Sequence, residues 1–224
     1  MATLKDRVME DPRRYNFLFR IYNLFHPKNR YKIGRYNQLT YKSCLFTDVK
    51  IKIFGTGNRI TLGDLCNLKE CTIYIYGSNN TISFGDSVYM NKTDIRIEND
   101  SNEMMIGSNS SFTARVHLAA IESTSLQIGE DCMFSTDIHV RTGDSHSILD
   151  ENGKRVNSPK KVIIGDHVWV GTRVTCLKDV VIPNNCIIGA NALLTKKFTE
   201  ENCIIAGNPA KIIKRNQSWL REQI

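Results

Sequence analysis

A six-residue period runs through the second half of the chain and constrains its fold more than any other feature. From residue 164 the chain reads IGDHVW, VGTRVT, CLKDVV, IPNNCI, IGANAL and LTKKFT, and the first position of each hexad is aliphatic or cysteine. The fifth position is also apolar, at residues 168, 174, 180, 186, 192 and 198. A helix does not repeat apolar residues in this way, whereas short strands separated by regular corners do. The period therefore predicts triangular coils of about 18 residues, stacked as parallel sheets.

A longer period of 22 residues precedes the hexads. It separates the triads LGD (62–64), FGD (84–86), IGS (106–108) and IGE (128–130), and an asparagine recurs with the same step at residues 58, 80 and 102. These rungs are 18-residue coils with about four residues added at one corner, where asparagine is favoured. An unrelated β-sandwich has no reason to keep either spacing. The fold class predicted is all-β, a parallel β-helix.

The spacing from Ile128 to Ile164 is twice that of a normal coil. Three hexads fill residues 128–145, but residues 146–163 contain DENGKR and SPKK and lack the pattern. The simplest interpretation is one protruding loop near 142–161 that leaves a single corner. Long polar loops in compact repeats are usually functional, and His146 lies at the base of this one.

The two ends of the chain differ from the repeat. Residues 1–42 carry ten Lys or Arg against three acidic residues and include the aromatic stretch RRYNFLFRIYNLF (13–25). We expect 1–42 to form a helical cap on the β-helix domain (43–210), and 211–224 to form a short C-terminal helix that starts near Pro209. A second interpretation of 13–25 is peripheral contact with a membrane surface.

Composition excludes several classes of protein. No stretch approaches 18 consecutive apolar residues, and no secretory signal is evident, so we expect a cytoplasmic protein, at the inner face of the membrane if 13–25 binds lipid. Seven cysteines without paired metal spacing indicate free thiols, with Cys66, Cys132 and Cys186 at buried positions of the repeat. Outside 1–42 the chain has twenty basic and twenty acidic residues, which does not favour nucleic-acid binding.

The hexads, the ending GNPAK (207–211), and DSHS (144–147) followed by IGDHVWVG (164–171) resemble the hexapeptide-repeat acyltransferases. The resemblance covers about residues 50–215 and is greatest to the bacterial polysaccharide O-acetyltransferases, including those that acetylate polysialic acid capsules. It implies a left-handed β-helix, a homotrimer, and acetyl-CoA as acyl donor. The handedness comes from the resemblance alone, because crossover connections are otherwise right-handed.

The loop offers a set of catalytic candidates. A sugar hydroxyl needs a base near neutral pH, and imidazole has a suitable pKa. The resemblance implies that His146 deprotonates the acceptor, which attacks the thioester directly; the alternative is a solvated loop histidine. Asp144 either orients the ring or caps a turn. With His146, Arg141 is expected to contact the acceptor. The resemblance also implies that Trp169 lines the active centre and donates its indole N–H to the thioester; alternatively it fills a trimer seam.

Two columns of residues follow from the 18-residue period, and both are candidates for binding acetyl-CoA. Small side chains would leave a groove for the pantetheine arm at Gly171, Thr172, Gly189, Ala190, Gly207 and Asn208. Stacked lysines repel one another unless an anion lies across them, which makes them candidates for the CoA phosphates. This second column comprises Lys178, Lys196 and Lys214, with Lys197 and Lys211 beside it. The alternative for each lysine is a solvated edge.

The predicted function is acetyl-CoA-dependent O-acetylation of a sugar hydroxyl on a surface polysaccharide or its precursor. One alternative is N-acetylation of an amino-sugar nucleotide, and another is a non-catalytic β-helix that binds glycan. No metal is expected: the carbonic anhydrases that resemble this fold place a close histidine pair as H-x4-H, and no pair here has that spacing. His117 and His139 are instead 22 residues apart and are expected to stack on adjacent coils.

Overall fold

The computed structural model describes residues 11–224. Over these residues the chain winds into a three-sided prism. Side one contains β1 (Arg30–Ile33), β4 (Lys50–Phe54), β7 (Thr72–Tyr76), β10 (Thr93–Glu98), β17 (Thr175–Cys176) and β20 (Leu193–Leu194). Side two contains β2 (Gln38–Thr40), β5 (Arg59–Leu62), β8 (Thr81–Phe84), β11 (Glu103–Ile106), β13 (Ser125–Ile128), β15 (Val162–Ile164) and β18 (Val181–Ile182). Side three contains β3 (Leu45–Thr47), β6 (Asn67–Lys69), β9 (Tyr89–Asn91), β16 (Trp169–Val170), β19 (Ile187–Ile188) and β21 (Ile204–Gly207).

Two longer strands, β12 (Ser111–Ile121) and β14 (Met133–Arg141), bend from side three onto side one and complete both. Strands on each side pair in parallel with the strand one coil away. The pairing steps match the sequence periods: Lys50 pairs with Thr72, Ile128 with Ile164, and Ile163 with Val181. Since β13 pairs directly with β15, the 36-residue interval is one coil with a loop, as predicted.

The interior of the prism is filled by the apolar positions of the repeat. Every first and fifth hexad position from 164 to 198 is buried, and so are all seven cysteines, which are free thiols. The rings of Phe112 and Phe134 stack at 4.5 Å on successive coils. Close packing of this kind follows from inward-pointing side chains repeating with the coil, and each coil is stabilised by its neighbours.

The recurring asparagines lie at the corner between sides one and two, where they were predicted. Their side-chain bonds link successive coils: the Nδ2 of Asn80 donates to the Oδ1 of Asn58 at 3.0 Å, and Asn102 donates likewise to Asn80 and also locally to the carbonyl of Glu98. All three are fully buried. The side chains therefore continue the backbone hydrogen bonding across a corner that a strand cannot cover.

The N-terminal segment caps the first coil, as predicted. A 3-10 turn (Pro12–Tyr15) leads into α1 (Asn16–Phe25), and Asn23 at its inner face is fully buried. Asn23 donates to the carbonyl of Cys44 at 2.9 Å and accepts from the backbone N–H of Phe46 at 2.8 Å. The Asn23 side-chain amide thus makes the hydrogen bonds that a neighbouring strand would otherwise make at the open edge of β3.

Asn29 extends this cap by accepting from the N–H of Val49 at 2.8 Å and donating to the carbonyl of Phe46 at 3.0 Å. The β-helix itself begins at Arg30 rather than at residue 43, because β1 and β2 already pair with β4 and β5. The predicted boundary therefore excludes the first coil. No helix within residues 11–224 has the length and apolar character needed to span a bilayer. The part of the 1–42 prediction that falls on residues 1–10 lies outside the described residues.

The predicted C-terminal helix is wrong. Residues 210–214 form β22 (Ala210–Lys214), which turns back and pairs antiparallel with β21. The last coil would otherwise expose unpaired N–H and C=O groups along β21, and a returning strand satisfies them where a helix would not. Ile212 packs on the core from this strand. Residues 215–224 contain no helix and continue along the prism.

Candidate active site

The protruding loop lies between β14 and β15, at the corner between sides one and two. Its outer part is a small hairpin in which Leu149 bridges Arg155 and the N–H of Val156 donates to Ile148 at 2.9 Å. Asn157, which is almost fully buried, closes the base of the loop: its Nδ2 donates to the carbonyl of His146 at 2.8 Å. The loop is therefore held by its own hydrogen bonds.

His146 is exposed at this closed base. Its backbone is fixed by Asn157, but no hydrogen bond reaches its ring nitrogens from any residue in 11–224. The imidazole is thus positioned by a rigid backbone and remains open to an incoming molecule. An imidazole in this position can come within hydrogen-bonding distance of an external hydroxyl, as a general base must.

Asp144 contacts neither ring nitrogen of His146. Its Oδ2 accepts from Lys178 Nζ at 2.5 Å and from Asn157 Nδ2 at 2.8 Å. The bond from Lys178 is the main cause that holds the pKa of Asp144 below its ordinary value. Lys178 also donates to the carbonyl of Asn157 at 2.8 Å. Asp144 therefore fastens the loop to the next coil, a role that neither sequence interpretation included.

Arg141 supports the same loop. Its Nε donates to the carbonyl of Gly143 at 2.8 Å, and its Nη2 donates to the Oγ of Ser145 at 3.1 Å. The side chain is half-buried at the end of β14. Two of its five donors are committed to the loop, which leaves three for another partner.

A cavity of about 620 Å³ opens between side one and the loop. Tyr74, Tyr76 and Arg96 form its floor, and Ser145 belongs to its rim, next to His146. The remaining lining residues are Glu98, Asn99, Ile121, Glu122 and Arg155. Sequence reasoning missed this cavity. The outward-facing tyrosines of TIYIY (72–76) indicate one wall of the cavity. Periodicity cannot place the loop that forms the other wall.

The charges in this cavity are largely paired. Arg155 donates through both terminal nitrogens to Glu122, at 2.5 and 3.1 Å, and this contact holds the pKa of Glu122 below its ordinary value. Arg96 donates to Asp94 at 2.9 Å through its Nε, and its Cζ lies 5.7 Å from the Tyr74 ring. Aromatic faces beside hydrogen-bonding groups are suited to a sugar ring.

Trp169 lies on another side of the prism. It pairs with Met133 at the first end of β14, whereas His146 follows Arg141 at the other end. A single protomer therefore does not bring Trp169 and His146 together. The Trp169 indole is 37% exposed and lies 6.2 Å from Trp219, measured between ring centroids.

The C-terminal tail forms the surroundings of Trp169, which sequence reasoning also missed. Trp219 stacks on His167 at 4.2 Å and donates its indole N–H to the carbonyl of His167 at 2.9 Å. Asp131 accepts from His167 at 2.7 Å and from Arg221 at 2.7 Å. These bonds tie the tail across several coils.

The small-residue column is partly present, at the corner between sides three and one. A Cβ on Gly171 would lie 2.7 Å from the carbonyl oxygen of Ile188, so only glycine lets the coils approach this closely. Gly189 and Ala190 follow on the next coil, and Thr172 Oγ1 contacts Thr136 Oγ1 at 2.8 Å. Gly171 and Gly189 therefore stack, with Thr172 and Ala190 beside them.

Gly207 does not belong to this column. The last coil is one residue shorter, because Ile187 pairs with Ile204, and the Cβ position of Gly189 faces Ala206. The 18-residue count therefore fails at the final step, and neither Gly207 nor Asn208 continues the stack.

The lysine column is also shorter than predicted. Lys178 is paired with Asp144, Lys197 lies 3.1 Å from Asp179, and Lys196 lies over the Phe198 ring at 5.5 Å. Lys214 pairs with Ile204 on side three and Lys211 with Ala206, because β22 reverses direction. Only Lys178, Lys196 and Lys197 remain at the corner between sides one and two.

His117 and His139 lie next to each other on adjacent coils as predicted, with ring centroids 5.7 Å apart and ring planes tilted by 42°, and His117 contacts Asp94 at 3.0 Å. Across residues 11–224, His, Cys, Asp and Glu side chains form no group of three that would hold a metal ion.

The rigid parallel coils, the loop with its exposed histidine and the small-residue corner together define a β-helix of the acyltransferase class. Comparison with solved structures agrees. The structure of the polysialic acid O-acetyltransferase OatWY superimposes with a TM-score of 0.77 and 32% identity, covering 88% of this chain and 90% of that one. The polysialic-acid-specific acetyltransferase NeuO gives 0.75 and 27%, covering 87% and 90%. The chain belongs to the left-handed β-helix, hexapeptide-repeat acyltransferases, in the group that contains these enzymes.

Curated sequences give shorter matches. A polysialic acid O-acetyltransferase of Escherichia coli O1:K1 is 40% identical over 82 residues, which is 36% of this chain and 26% of that protein. One from Neisseria meningitidis is 36% identical over 83 residues, or 37% and 39% of the two chains. These matches thus span well under two thirds of either curated relative. No family model matches the sequence.

Proposed function

We propose that the chain is an acetyl-CoA-dependent O-acetyltransferase that modifies a sugar hydroxyl of a surface polysaccharide or its precursor. The observation that carries this proposal is the exposed His146 imidazole, held on a fixed backbone beside a cavity floored by Tyr74 and Tyr76. The names of the relatives, which describe acetyl transfer to polysialic acid, support the same chemistry.

In the proposed reaction, His146 takes the proton from the acceptor hydroxyl as the oxygen bonds to the acetyl carbon. The carbon–sulfur bond then breaks, and the proton passes from the imidazolium to the departing sulfur. The result is an ester and free CoA, with no acyl group on the protein. Imidazole suits both steps because it accepts and returns a proton near neutral pH.

The acyl donor is proposed to lie along the corner between sides three and one. The small side chains at this corner support that placement, and the partly exposed Trp169 indole on side three would donate its N–H to the thioester. Lys196, which has no acidic partner among the described residues, is the remaining candidate for the CoA phosphates, and Lys197 is weaker because it is paired with Asp179. Lys178 is a weaker candidate, because Asp144 already neutralises it.

We further propose that the active unit is a homotrimer. Trp169 and His146 lie at opposite ends of β14, so a site that uses both needs a second copy to bring one of them across. Closed three-fold symmetry gives every copy the same contacts and yields three such sites.

The outer face of α1 supports a proposed contact with the inner surface of the cytoplasmic membrane. Phe17, Leu24 and Phe25 are 71%, 68% and 75% exposed, and Arg20 is exposed on the same helix. Apolar side chains flanked by basic ones favour an anionic lipid surface. Flotation with anionic vesicles tests this: Phe17→Ser with Phe25→Ser should stay in the unbound fraction while remaining folded, and binding equal to that of the parent would refute the contact.

The function is tested by thiol release from acetyl-CoA with and without candidate glycans. Polysaccharide-dependent release, with an acetyl group on the product that mild alkali removes, is the expected result. An alkali-stable acetyl group on an amino sugar would instead identify an N-acetyltransferase. No CoA binding and no acceleration by any acceptor would contradict both and favour a glycan-binding β-helix.

A further inference from the structure

Side one carries a straight row of side chains on its outer surface. Strand register aligns Lys32 with Lys52, Lys52 with Tyr74, and Tyr74 with Arg96. The row then passes the buried Ala119 and ends at Arg141. We call it the side-one row, comprising Lys32, Lys52, Tyr74, Arg96 and Arg141. Its five steps between strands, each about 4.8 Å, give a length of about 24 Å.

The start of the row is unusually basic for a folded surface. Lys32 and Lys52 are exposed and directly opposite each other, and Arg30 and Lys50 are paired in the same way beside them. Among residues 11–224, Lys32, Lys50 and Lys52 have no acidic partner within ion-pairing distance. Like charges held at this spacing destabilise a sheet. An anion lying along the row would remove that repulsion.

The surrounding sequence strengthens this charge. Residues 11–60 contain eleven Lys or Arg and two acidic residues. Arg13 pairs with Asp64, but Lys32 lies over the Phe54 ring at 4.9 Å and not against an acidic side chain. The first coils therefore present a positive surface at the start of the side-one row.

The other end of the row enters the cavity beside His146. Tyr74 and Arg96 belong both to the row and to the cavity floor, and Ser145 on the rim is adjacent to His146. The cavity is nearly balanced in charge, because Glu122 is paired with Arg155. The basic part of the row and the more neutral, aromatic cavity thus form successive segments of one surface.

We propose that the side-one row binds the acceptor as an extended, carboxylate-bearing polysaccharide and leads one of its sugars to His146. The lysines would contact carboxylates of distant sugars, and Tyr74 and Arg96 would hold a sugar near the reacting hydroxyl. A neutral glycan would leave the lysine repulsion unrelieved. This inference rests on the proposed function for its reaction, but the binding surface is testable without any transfer.

The test compares two double variants of equal charge. Lys32→Glu with Lys52→Glu reverses the start of the row. Arg59→Glu with Lys69→Glu changes the net charge equally on sides two and three, at exposed positions of neighbouring coils. Binding of polysialic acid is measured in the absence of acetyl-CoA, with dextran as the neutral polymer. Steady-state rates are then measured with long polysialic acid and with short fragments of the same polymer.

The row variant should bind polysialic acid about tenfold more weakly at low salt, with a smaller salt dependence than the parent. Its KM for the long polymer should rise by a similar factor, while kcat and the rates with short fragments stay near the parental values. The variant with Arg59 and Lys69 reversed should behave like the parent, and dextran should bind none of the proteins.

Equal losses in both variants would show a general charge effect and overturn the proposal, and so would no loss in either. If the row variant binds the polymer as the parent does but has an altered molar mass, side one is an interface between copies. That result also overturns the proposal. If the binding differences appear but no protein transfers acetyl, the row stands and the proposed function fails. If transfer occurs but neither binding nor rate depends on the row, the proposed function stands and the row proposal fails.

Discussion

Lys178 joins the two ends of the protruding loop to one coil: its ammonium group lies 2.5 Å from the carboxylate of Asp144, 34 residues earlier in the chain. The same nitrogen donates to the carbonyl of Asn157, at the far end of the loop. Asn157 in turn bonds to Asp144 and to the carbonyl of His146. The backbone of His146 is thus fixed by a closed set of polar contacts on a rigid coil.

This relationship predicts a local effect of pH. Because the pKa of Asp144 is lowered in the folded protein, its stabilising contribution is complete above the unfolded-state pKa and is lost as pH falls through the folded value. Loop protection should therefore be constant across neutral pH and decrease only below about pH 4. Hydrogen exchange of residues 143–158 as a function of pH measures this. Loss of protection already between pH 8 and 6 would contradict it.

Removing the ammonium group of Lys178 should loosen the loop at neutral pH, as low pH does in the parent. Lys178→Met is expected to raise hydrogen exchange in the loop and lower kcat. The melting temperature should change little, because an ion pair with a partly exposed carboxylate contributes about 0–1 kcal/mol. Lys161→Met is the matched control, since Lys161 is exposed and has no acidic partner among the described residues. Identical exchange in the two variants would rule out the proposed fastening.

The cap at the other end of the prism predicts a global effect. Asn23→Ala leaves the N–H of Phe46 and the carbonyl of Cys44 buried without partners, which costs about 1–3 kcal/mol for each group. Thermal unfolding should therefore occur at a temperature lower by at least about 4 °C. Phe17→Ala on the exposed face of α1 is the control and should melt like the parent. Equal melting temperatures for both variants would mean that the cap does not stabilise the first coil.

The separation of Trp169 from His146 predicts complementation between copies. Co-expressed His146→Ala and Trp169→Ala subunits should form mixed trimers in which about a quarter of the sites combine an intact histidine with an intact tryptophan. Activity should recover to about that fraction of the parental level, although each variant alone is impaired. Recovery no greater than the average of the two separate variants would place both residues in one protomer or remove one of them from the site.

Much of the fold could be predicted because it follows from local periods. Hexad positions such as Val168 and Ile188 must face inward if the coil is triangular, and the double interval before Ile164 leaves a loop as the simplest solution. The last coil was not predictable, because a step of 17 residues at Ile204 differs from the period by a single residue. That one residue moves Gly207 out of its column, and the reversal that follows it removes Lys214 as well.

The site was predictable only to the level of its position in the loop. Periodicity places His146 at the base of an excursion but does not describe the excursion's own hydrogen bonds, so the pairing of Asp144 with Lys178 was missed. The docking of Trp219 on His167 joins residues 52 positions apart through non-repeating sequence. Contacts of this kind depend on shape complementarity between surfaces, for which a one-dimensional pattern contains no signal.

His146 as the general base is the central residue of the proposed mechanism. His146→Ala should fold, keep the parental molar mass and melt within a few degrees of the parent, because an exposed side chain contributes little buried surface. Binding of acetyl-CoA should largely persist, since the proposed groove lies at Gly171 and Gly189. His139→Ala is the matched control: His139 is also exposed, lies on β14, and is expected to keep parental activity.

The decisive measurement is kcat of purified His146→Ala with saturating acetyl-CoA and a polysaccharide acceptor. Loss of a general base should lower kcat by about 10²–10⁴-fold, equivalent to about 2.7–5.5 kcal/mol of barrier, and should remove the acidic limb of the pH profile. If a folded variant with intact acetyl-CoA binding keeps more than about a tenth of the parental kcat, His146 is not the base and the proposed mechanism is wrong.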